Sequence, residues 1–202
     1  MQEQLKEYIA QLISWNARIN LISRKDEENI LSRHILHSLV LRMPGICDYD
    51  FTNKKTADVG TGGGLPGIPV KIVTPEVDMT LIDSVQKKIV ACNDMIASLG
   101  LTGIHTLSGR AEELSKLPEH AHAYDAIISR AVAPLEELTK WTHGLLKPGG
   151  TLFSLKGGDL WDEIKRTQRL PYVREVHETA LVLQGFDDFA KEDKKLVRVD
   201  NI

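Results

Sequence analysis

The chain has 202 residues, 42% of them hydrophobic and 26% charged, which is the length and balance of one globular domain with a substantial core. Its net charge of −3 excludes a general electrostatic attraction to nucleic acid or anionic lipid, so any RNA contact has to come from local basic patches. No apolar run approaches the ~20 residues of a membrane span, and the first residues lack a secretory signal pattern. We therefore expect a cytoplasmic location without membrane contact.

The chain is predicted to be helical over residues 1–43 and to alternate strands with helices from residue 56. In the first segment apolar residues recur at helical spacing, at Leu5, Ile9, Leu12 and Ile13 and again at Leu31, Ile35 and Leu39. Pro44 and Gly45 end the second of these helices. The predicted strands span residues 56–59, 79–83, 104–107, 125–129 and 151–156. The predicted later helices lie near residue 70 and over residues 86–99, 111–114, 135–146 and 160–169.

Two last extended segments, residues 173–183 and 195–199, are predicted to close the sheet as an antiparallel pair. The alternation predicts an α/β fold with a doubly wound, mostly parallel, seven-stranded sheet covered on both faces. We expect a single domain over residues 1–202, in which a helical extension at residues 1–45 packs on a Rossmann-like core at residues 55–202. Cys47 and Cys92 are isolated from each other and from paired histidines, which indicates buried thiols and no metal site.

A glycine-rich turn follows the first predicted strand, with the sequence Asp58-Val59-Gly60-Thr61-Gly62-Gly63-Gly64-Leu65-Pro66-Gly67. In a doubly wound sheet this turn lies at the carboxyl edge, where ligands bind, and its glycines let a ligand approach the backbone. Gly62, Gly64 and Gly67 also match the dinucleotide pattern G-x-G-x-x-G, which is a weak signal alone. Asp58 is unfavourable beside a pyrophosphate, and Pro66 lacks the N–H donor that a phosphate would use.

Acids after the next two strands extend the candidate site. Asp83 ends the second strand, where a carboxylate can accept hydrogen bonds from the ribose hydroxyls of a nicotinamide or a methionine cofactor. A surface aspartate at a strand end is the alternative. After the third strand, a backbone N–H and a carboxylate within Gly109-Arg110-Ala111-Glu112-Glu113 could frame an adenine, and a helix start with acids that favour its dipole is equally compatible.

Two stretches of the chain resemble motifs of class I methyltransferases. The order Asp58-x-Gly60-x-Gly62-x-Gly64 is similar to the first motif of that class. Leu145-Leu146-Lys147-Pro148-Gly149-Gly150-Thr151-Leu152 is similar to the helix–turn–strand passage before its fifth strand, where Pro148 ends a helix and the glycines turn the chain. The resemblance implies S-adenosylmethionine as the cofactor, bound at Asp58, Gly60, Gly62, Gly64 and Asp83.

Nearly the whole chain resembles one family, the glucose-inhibited division protein B group, which are bacterial guanine-N7 methyltransferases of 16S ribosomal RNA. The most specific stretches are Trp15-Asn16-x-x-x-Asn20-Leu21, Arg33-His34-Ile35-Leu36-x-Ser38, the glycine turn through Pro69, Ile128-Ser129-Arg130-Ala131 and Leu155-Lys156-Gly157. The resemblance implies cofactor contacts at Gly60, Leu65, Ala111, Glu112 and Arg130, with Asp83 as the ribose acid. It implies small-subunit rRNA, or the assembling small subunit, as substrate. Nothing in the sequence requires a protein partner, so we expect no obligate one.

The chain departs from the family pattern at two places. His37 stands where the family usually has Asp, and Gly62-Gly63-Gly64 replaces a Gly-Pro-Gly turn. Because guanine N7 is a lone pair without a proton, its methylation needs no general base. We therefore expect no acid–base residue and no metal, and we assign only positioning to Arg130, His34 and Asn20. An arginine directly after a buried strand at the carboxyl edge favours a role in a site.

RNA contact is assigned to basic side chains near the cofactor: Arg33, His34, Lys87, Lys88 and Lys156, besides Arg130. A solvated helix face explains Lys87 and Lys88 equally well. Asn16 and Asn20 are predicted to share one helical face, and helix capping explains them equally well. Trp15, Trp141 and Trp161 are interpreted as packing residues.

Three other functions remain open at the level of sequence. One is a methyltransferase of a small metabolite, which the net charge of −3 favours. The second is a cofactor-binding protein without catalytic activity, and the third, least favoured, is a nicotinamide dehydrogenase.

Overall fold

A computed structural model of the chain describes residues 1–202, with every side chain except that of residue 188. It contains a seven-stranded sheet in the order β3-β2-β1-β4-β5-β7-β6. The strands are β1 Lys55–Val59, β2 Asp78–Asp83, β3 Ile104–Ser108, β4 Tyr124–Arg130, β5 Leu146–Gly157, β6 Val173–Ala180 and β7 Lys194–Asn201. Strands β1 to β5 pair in parallel, whereas β7 is antiparallel to both β5 and β6. The predicted doubly wound sheet with a closing antiparallel pair is therefore confirmed.

The α-helices are α1 Gln2–Asn16, α2 His37–Leu39, α3 Gly67–Val73, α4 Gln86–Ser98, α5 Ala111–Leu114, α6 Leu135–His143, α7 Trp161–Thr167 and α8 Asp188–Lys191. Between α1 and β1 the chain also forms 3₁₀ turns at Arg24–Asn29 and Val40–Arg42 and a π-helical turn at Leu31–Leu36. None of the described helices is both long and apolar enough to cross a membrane.

Strand β5 begins at Leu146 and not at the predicted Thr151, so it includes the predicted last residue of the helix and the predicted turn at residues 147–150. Helix α6 ends at His143, and Leu146 then pairs with Tyr124 of β4. The register shifts before Thr151 pairs with Ala126, so four residues of β5 bulge out of the ladder. Gly149 adopts φ +71° there, a conformation that glycine takes without steric cost.

The prediction that Asn16 and Asn20 share a helical face is wrong, because α1 ends at Asn16. The Asn16 side-chain oxygen accepts hydrogen bonds from the backbone N–H groups of Leu21 (2.8 Å) and Ile22 (3.0 Å). Its amide nitrogen donates to Glu27 at 2.6 Å. Asn16 therefore ties the end of α1 to the next helical segment, and Asn20 is exposed in the connecting turn.

Each face of the sheet has its own hydrophobic core, since successive side chains of a strand point to opposite faces. On one face Leu81 and Ile128 belong to the cluster that contains Tyr8 and Leu12 of α1. On the other face Ala57 and Ile127 belong to the cluster that contains helices α5 and α6. Both cysteines are buried and free, as predicted. Trp161, in contrast, is 63% exposed, with Lys165 Nζ lying 4.3 Å from its ring centroid, so its interpretation as a packing residue is wrong.

Candidate active site

The glycine-rich turn connects the end of β1 to α3 at the carboxyl edge of the sheet. Gly60 and Thr61 donate their backbone N–H groups to the Ile82 carbonyl of β2, at 2.8 and 3.0 Å. Gly60 has φ +73° and Gly62 has φ +57°. A Cβ atom on Gly60 would lie 2.3 Å from Val132 Cγ2, so no other residue fits there without a shift. The turn therefore has a fixed shape with backbone exposed on its outer side.

Helix α1 supports this turn from behind. The Tyr8 hydroxyl donates to the Gly63 carbonyl at 2.7 Å, and both residues lie at the contact between α1 and the turn. A Cβ atom on Gly63 would lie 2.6 Å from Leu12 Cδ1, so α1 packs directly against the glycine backbone.

Asp58 lies beneath the turn and does not line the cleft in front of it. Its side chain is fully buried, and Oδ2 accepts hydrogen bonds from Thr61 Oγ1 (2.6 Å) and the Gly67 N–H (2.8 Å). Oδ1 has no hydrogen-bond partner among the described residues. Burial raises the pKa of Asp58 to about 7, against the lowering effects of Thr61, Gly67 and Arg130. The structure thus places Asp58 as a support of the turn, as it does Gly64, whose missing Cβ makes room for Ile68.

A cleft of about 470 Å³ opens in front of the turn, and Asp83 lies on its wall. Asp83 Oδ2 accepts a hydrogen bond from the Gly62 N–H at 3.0 Å, and Oδ1 accepts one from the Val85 N–H at 2.9 Å. Lys88 Nζ lies 3.9 Å from Oδ2 and also lines the cleft. These contacts hold the Asp83 carboxylate, at the end of β2, against the turn that follows the neighbouring strand β1.

The rest of the cleft comes from the segments that follow β3 and β4. The predicted residues Gly60, Gly62, Leu65, Ala111, Glu112 and Arg130 all line it. Thr61, Val132 and Trp141 line it as well, and the sequence interpretation missed them as site residues. Trp141 was assigned to packing; its place on the helix after β4 is the signal that could have revealed it.

Arg130 ends β4 and contacts the helical segment before β1. Its Nη1 donates to Nδ1 of His34, a residue 96 positions earlier in the chain. Burial lowers the pKa of the Arg130 guanidinium, and Tyr8, Asp58 and Asp26 counteract this effect. The next residue, Ala131, has φ +52°, an uncommon conformation for a residue with a side chain.

The basic residues predicted to contact RNA do not form one surface. Arg33 lies near His34 and forms ion pairs with Asp26 (2.7 Å) and Glu192 (2.8 Å). Lys87 is exposed on α4, and Asn20 is exposed outside the cleft. Lys156 is 10% exposed, and it donates to Ala133 O at 2.8 Å and pairs with Glu163 at 2.7 Å. The structure brings Arg33, His34 and Arg130 together and leaves Lys87, Lys156 and Asn20 apart from them.

The fold and this site define a class I S-adenosylmethionine-dependent methyltransferase. The chain superposes on a predicted O-methyltransferase from Agrobacterium tumefaciens with a TM-score of 0.63 and 15% identity, covering 82% of this chain and 80% of the other. It superposes on a precorrin-6y C5,15-methyltransferase from Geobacter metallireducens with a TM-score of 0.54 and 13% identity, covering 91% and 92%. At sequence identities this low, the structural similarity shows the fold alone, and this fold is the predicted one.

Sequence comparison identifies the family. The model of the GidB family, rRNA small subunit methyltransferase G, matches residues 1–188. Ribosomal RNA small subunit methyltransferase G from Chlorobium luteolum is 41% identical over 189 residues, which cover 93% of this chain and 76% of that protein. The enzyme of the same name from Chlorobium limicola is 44% identical over 163 residues, covering 81% and 70%. The chain belongs to the GidB family, which confirms the predicted resemblance.

Proposed function

We propose that this protein transfers the methyl group of S-adenosylmethionine to N7 of a guanine in 16S rRNA. The observation that carries the proposal is the corner where the Gly62 N–H meets the Asp83 carboxylate on the wall of the cleft, in a chain that belongs to the GidB family. Family membership favours an RNA acceptor over a small metabolite and an enzyme over a protein that only binds the cofactor.

The cleft fits the cofactor in size and in chemistry. Its volume of about 470 Å³ lies within the range of roughly 300–1,000 Å³ that is usual for small-molecule sites. A Cβ atom on Gly62 would have only two backbone oxygens within 4 Å, at 3.8 and 4.0 Å, so the turn leaves space that a ligand can use. Asp83 has lone pairs for ribose hydroxyls, while Ala111 and Glu112 lie on the wall where an adenine would be held.

The bound cofactor supplies a methyl group that is already activated by its sulfonium. The protein therefore has to bind, orient and exclude water, since guanine N7 carries no proton that a base must remove. Correct alignment of two reactants contributes on the order of 7–11 kcal/mol in favourable intramolecular models. We assign this positioning to the turn at Gly60–Gly62, to Asp83 and to Arg130, which His34 holds in place.

The charge and the family support a proposal for the form of the substrate and for the location of the protein. With a net charge of −3, the chain has little general attraction for naked RNA, so we propose the assembling small subunit in the cytoplasm as its substrate. We infer no obligate protein partner and no membrane contact, and we propose that residues 1–202 act as one methyltransferase domain.

The test is the transfer of labelled methyl from S-adenosylmethionine to small ribosomal subunits that lack the modification, beside protein-free rRNA and a metabolite pool. We expect label in 7-methylguanosine from the subunits. Asp83→Asn removes one charged acceptor, so the Kd for the cofactor should rise roughly 10- to 100-fold. Asp78→Asn, at the start of the same strand and 50% exposed, is the matched control. Label in the metabolite pool alone would identify a small-molecule methyltransferase, and tight cofactor binding without transfer to any acceptor would refute the proposal.

A further inference from the structure

A second cavity, of about 260 Å³, lies next to the cofactor cleft. Arg130 and Ala131 line both of them. The other walls come from the helical segment after α1 and from the start of β7. Their charged and imidazole side chains are those of Asp26, Arg33, His34, His37, Glu192 and Lys194. A molecule in this cavity would thus lie against the same two residues, at the strained end of β4, that line the cofactor cleft.

Three side chains form a row that leads away from the cofactor cleft. Arg130 Nη1 donates to His34 Nδ1, and His34 Nε2 lies 3.6 Å from Asp26 Oδ2. A guanidinium can only donate, so Nδ1 of His34 has to accept and Nε2 carries the proton of the neutral ring. The row therefore presents an N–H at His34 and a carboxylate oxygen at Asp26.

Two histidines that line this cavity each have a buried imidazole nitrogen without a hydrogen-bond partner. Nε2 of His34 and Nε2 of His37 are both without one among the described residues, although the two residues are only 7% and 4% exposed. Burial and Arg130 lower the pKa of His34 to about 4 and that of His37 to about 3, so both rings are neutral at physiological pH. A buried polar atom without a partner costs free energy unless a ligand or water satisfies it.

We propose that this cavity receives a single guanine base turned out of the RNA, with His34 and Asp26 recognising its Watson–Crick edge. The inference rests on the function proposed above and names the subsite of its acceptor. Along one side of guanine the groups follow in the order N7, O6, N1–H and N2–H₂. With N7 facing the cofactor cleft beside Arg130 and Ala131, O6 meets the His34 N–H, and the two donors meet the Asp26 carboxylate.

The same row rejects adenine. Adenine presents an amino group where guanine has O6, and an unprotonated N1 where guanine has N1–H. The amino group of adenine, a donor, would then face the N–H of His34, which is also a donor. Its N1, an acceptor, would face the carboxylate of Asp26, which is also an acceptor. The volume of about 260 Å³ also suits one base better than a larger ligand, since it lies below the usual range of small-molecule sites. Enzymes that modify a base inside folded nucleic acid commonly extrude it into such a pocket.

The first experiment uses the full chain loaded with S-adenosylhomocysteine and probes it with GMP or AMP. The imidazole NMR signals of His34, assigned by their loss in His34→Gln, report occupancy of the cavity. We expect GMP to shift them, AMP to leave them unchanged and Asp26→Asn to abolish the response to GMP. Equal responses to the two nucleotides, or no response to either, would overturn the inference.

The second experiment measures methyl transfer to small subunits by Asp26→Asn. The amide cannot accept from both donors of guanine, so kcat/KM should fall roughly 10- to 100-fold while the Kd of the cofactor stays unchanged. Arg33 retains its ion pair with Glu192 in this variant, and Asp78→Asn is the matched control. Unchanged transfer by Asp26→Asn would refute the subsite and leave the methyltransferase function standing. Failure of the wild-type protein to methylate subunits, with an intact GMP response, would refute the function instead.

Discussion

Asp58 should make the stability of this protein depend on pH in a direction unusual for a carboxylate. Its pKa is raised to about 7 because the side chain is fully buried, whereas the unfolded chain has a value near 3.8. Between about pH 4 and pH 7, therefore, Asp58 keeps its proton in the folded state and has lost it in the unfolded state. The stability contributed by this proton is complete below pH 4 and is lost as the pH rises through 7. Between pH 5 and pH 8 the loss of stability amounts to about 3 kcal/mol. It accrues over the roughly two pH units between pH 5 and the folded pKa, at 1.36 kcal/mol for each unit.

The measurement is urea unfolding of the wild type and of Asp58→Asn at pH 5 and pH 8. The asparagine oxygen can keep both bonds that Oδ2 accepts, from Thr61 and Gly67, but it does not titrate. The variant should therefore gain about 3 kcal/mol relative to the wild type between the two pH values, whatever its stability at either one. Other titrating groups are common to both proteins and cancel. Asp78→Asn, at a half-exposed position, controls for the loss of a charge. A difference between wild type and Asp58→Asn that stays the same at both pH values would refute the reasoning.

Two further predictions concern the turn and the second cavity. Gly60→Ala forces a side chain into φ +73° and against Val132, so the Kd for S-adenosylmethionine in calorimetry should rise at least tenfold. Gly100→Ala, at φ +60° with open space around it, is the control. An unchanged Kd in Gly60→Ala would contradict the role of the turn. The pKa of buried His37 is lowered to about 3, so the unfolded state binds its proton first as the pH falls. The wild type should lose about 2 kcal/mol through this group between pH 7 and pH 5, and His37→Asn should abolish that loss in urea unfolding, while a variant with the wild-type pH dependence would contradict it.

Much of the fold and the core of the cofactor site could be predicted because they depend on local patterns. Short apolar strands, each followed by a turn, predict a parallel sheet, and parallel pairing necessarily brings the end of β1 beside Asp83 at the end of β2. The start of β5 is predicted at Thr151 and lies at Leu146, because a bulge and a helix end carry the same glycine and proline signals.

What the sequence could not predict depends on tertiary contacts between distant segments. The contact of Arg130 with His34 joins residues 96 positions apart, and no local pattern encodes it. The position of Asp58 beneath the turn could not be predicted for a related reason. Its spacing shows that the residue lies near the glycines but does not show that its side chain points beneath the turn and away from the cleft. Asn16 and Lys156 likewise acquire their roles from partners that only the folded chain brings near.

The hydrogen bond from Tyr8 to the Gly63 carbonyl links the first helix to the turn at which we propose that the cofactor binds. The turn that faces the cleft and the helix behind it share one stretch of glycine backbone, so neither can loosen without the other. Linkage is reciprocal: if docking of α1 tightens cofactor binding by some factor, the bound cofactor favours docked α1 by the same factor. Amide hydrogens of residues 5–16 should thus exchange more slowly with the cofactor present, although none of these residues lines the cleft.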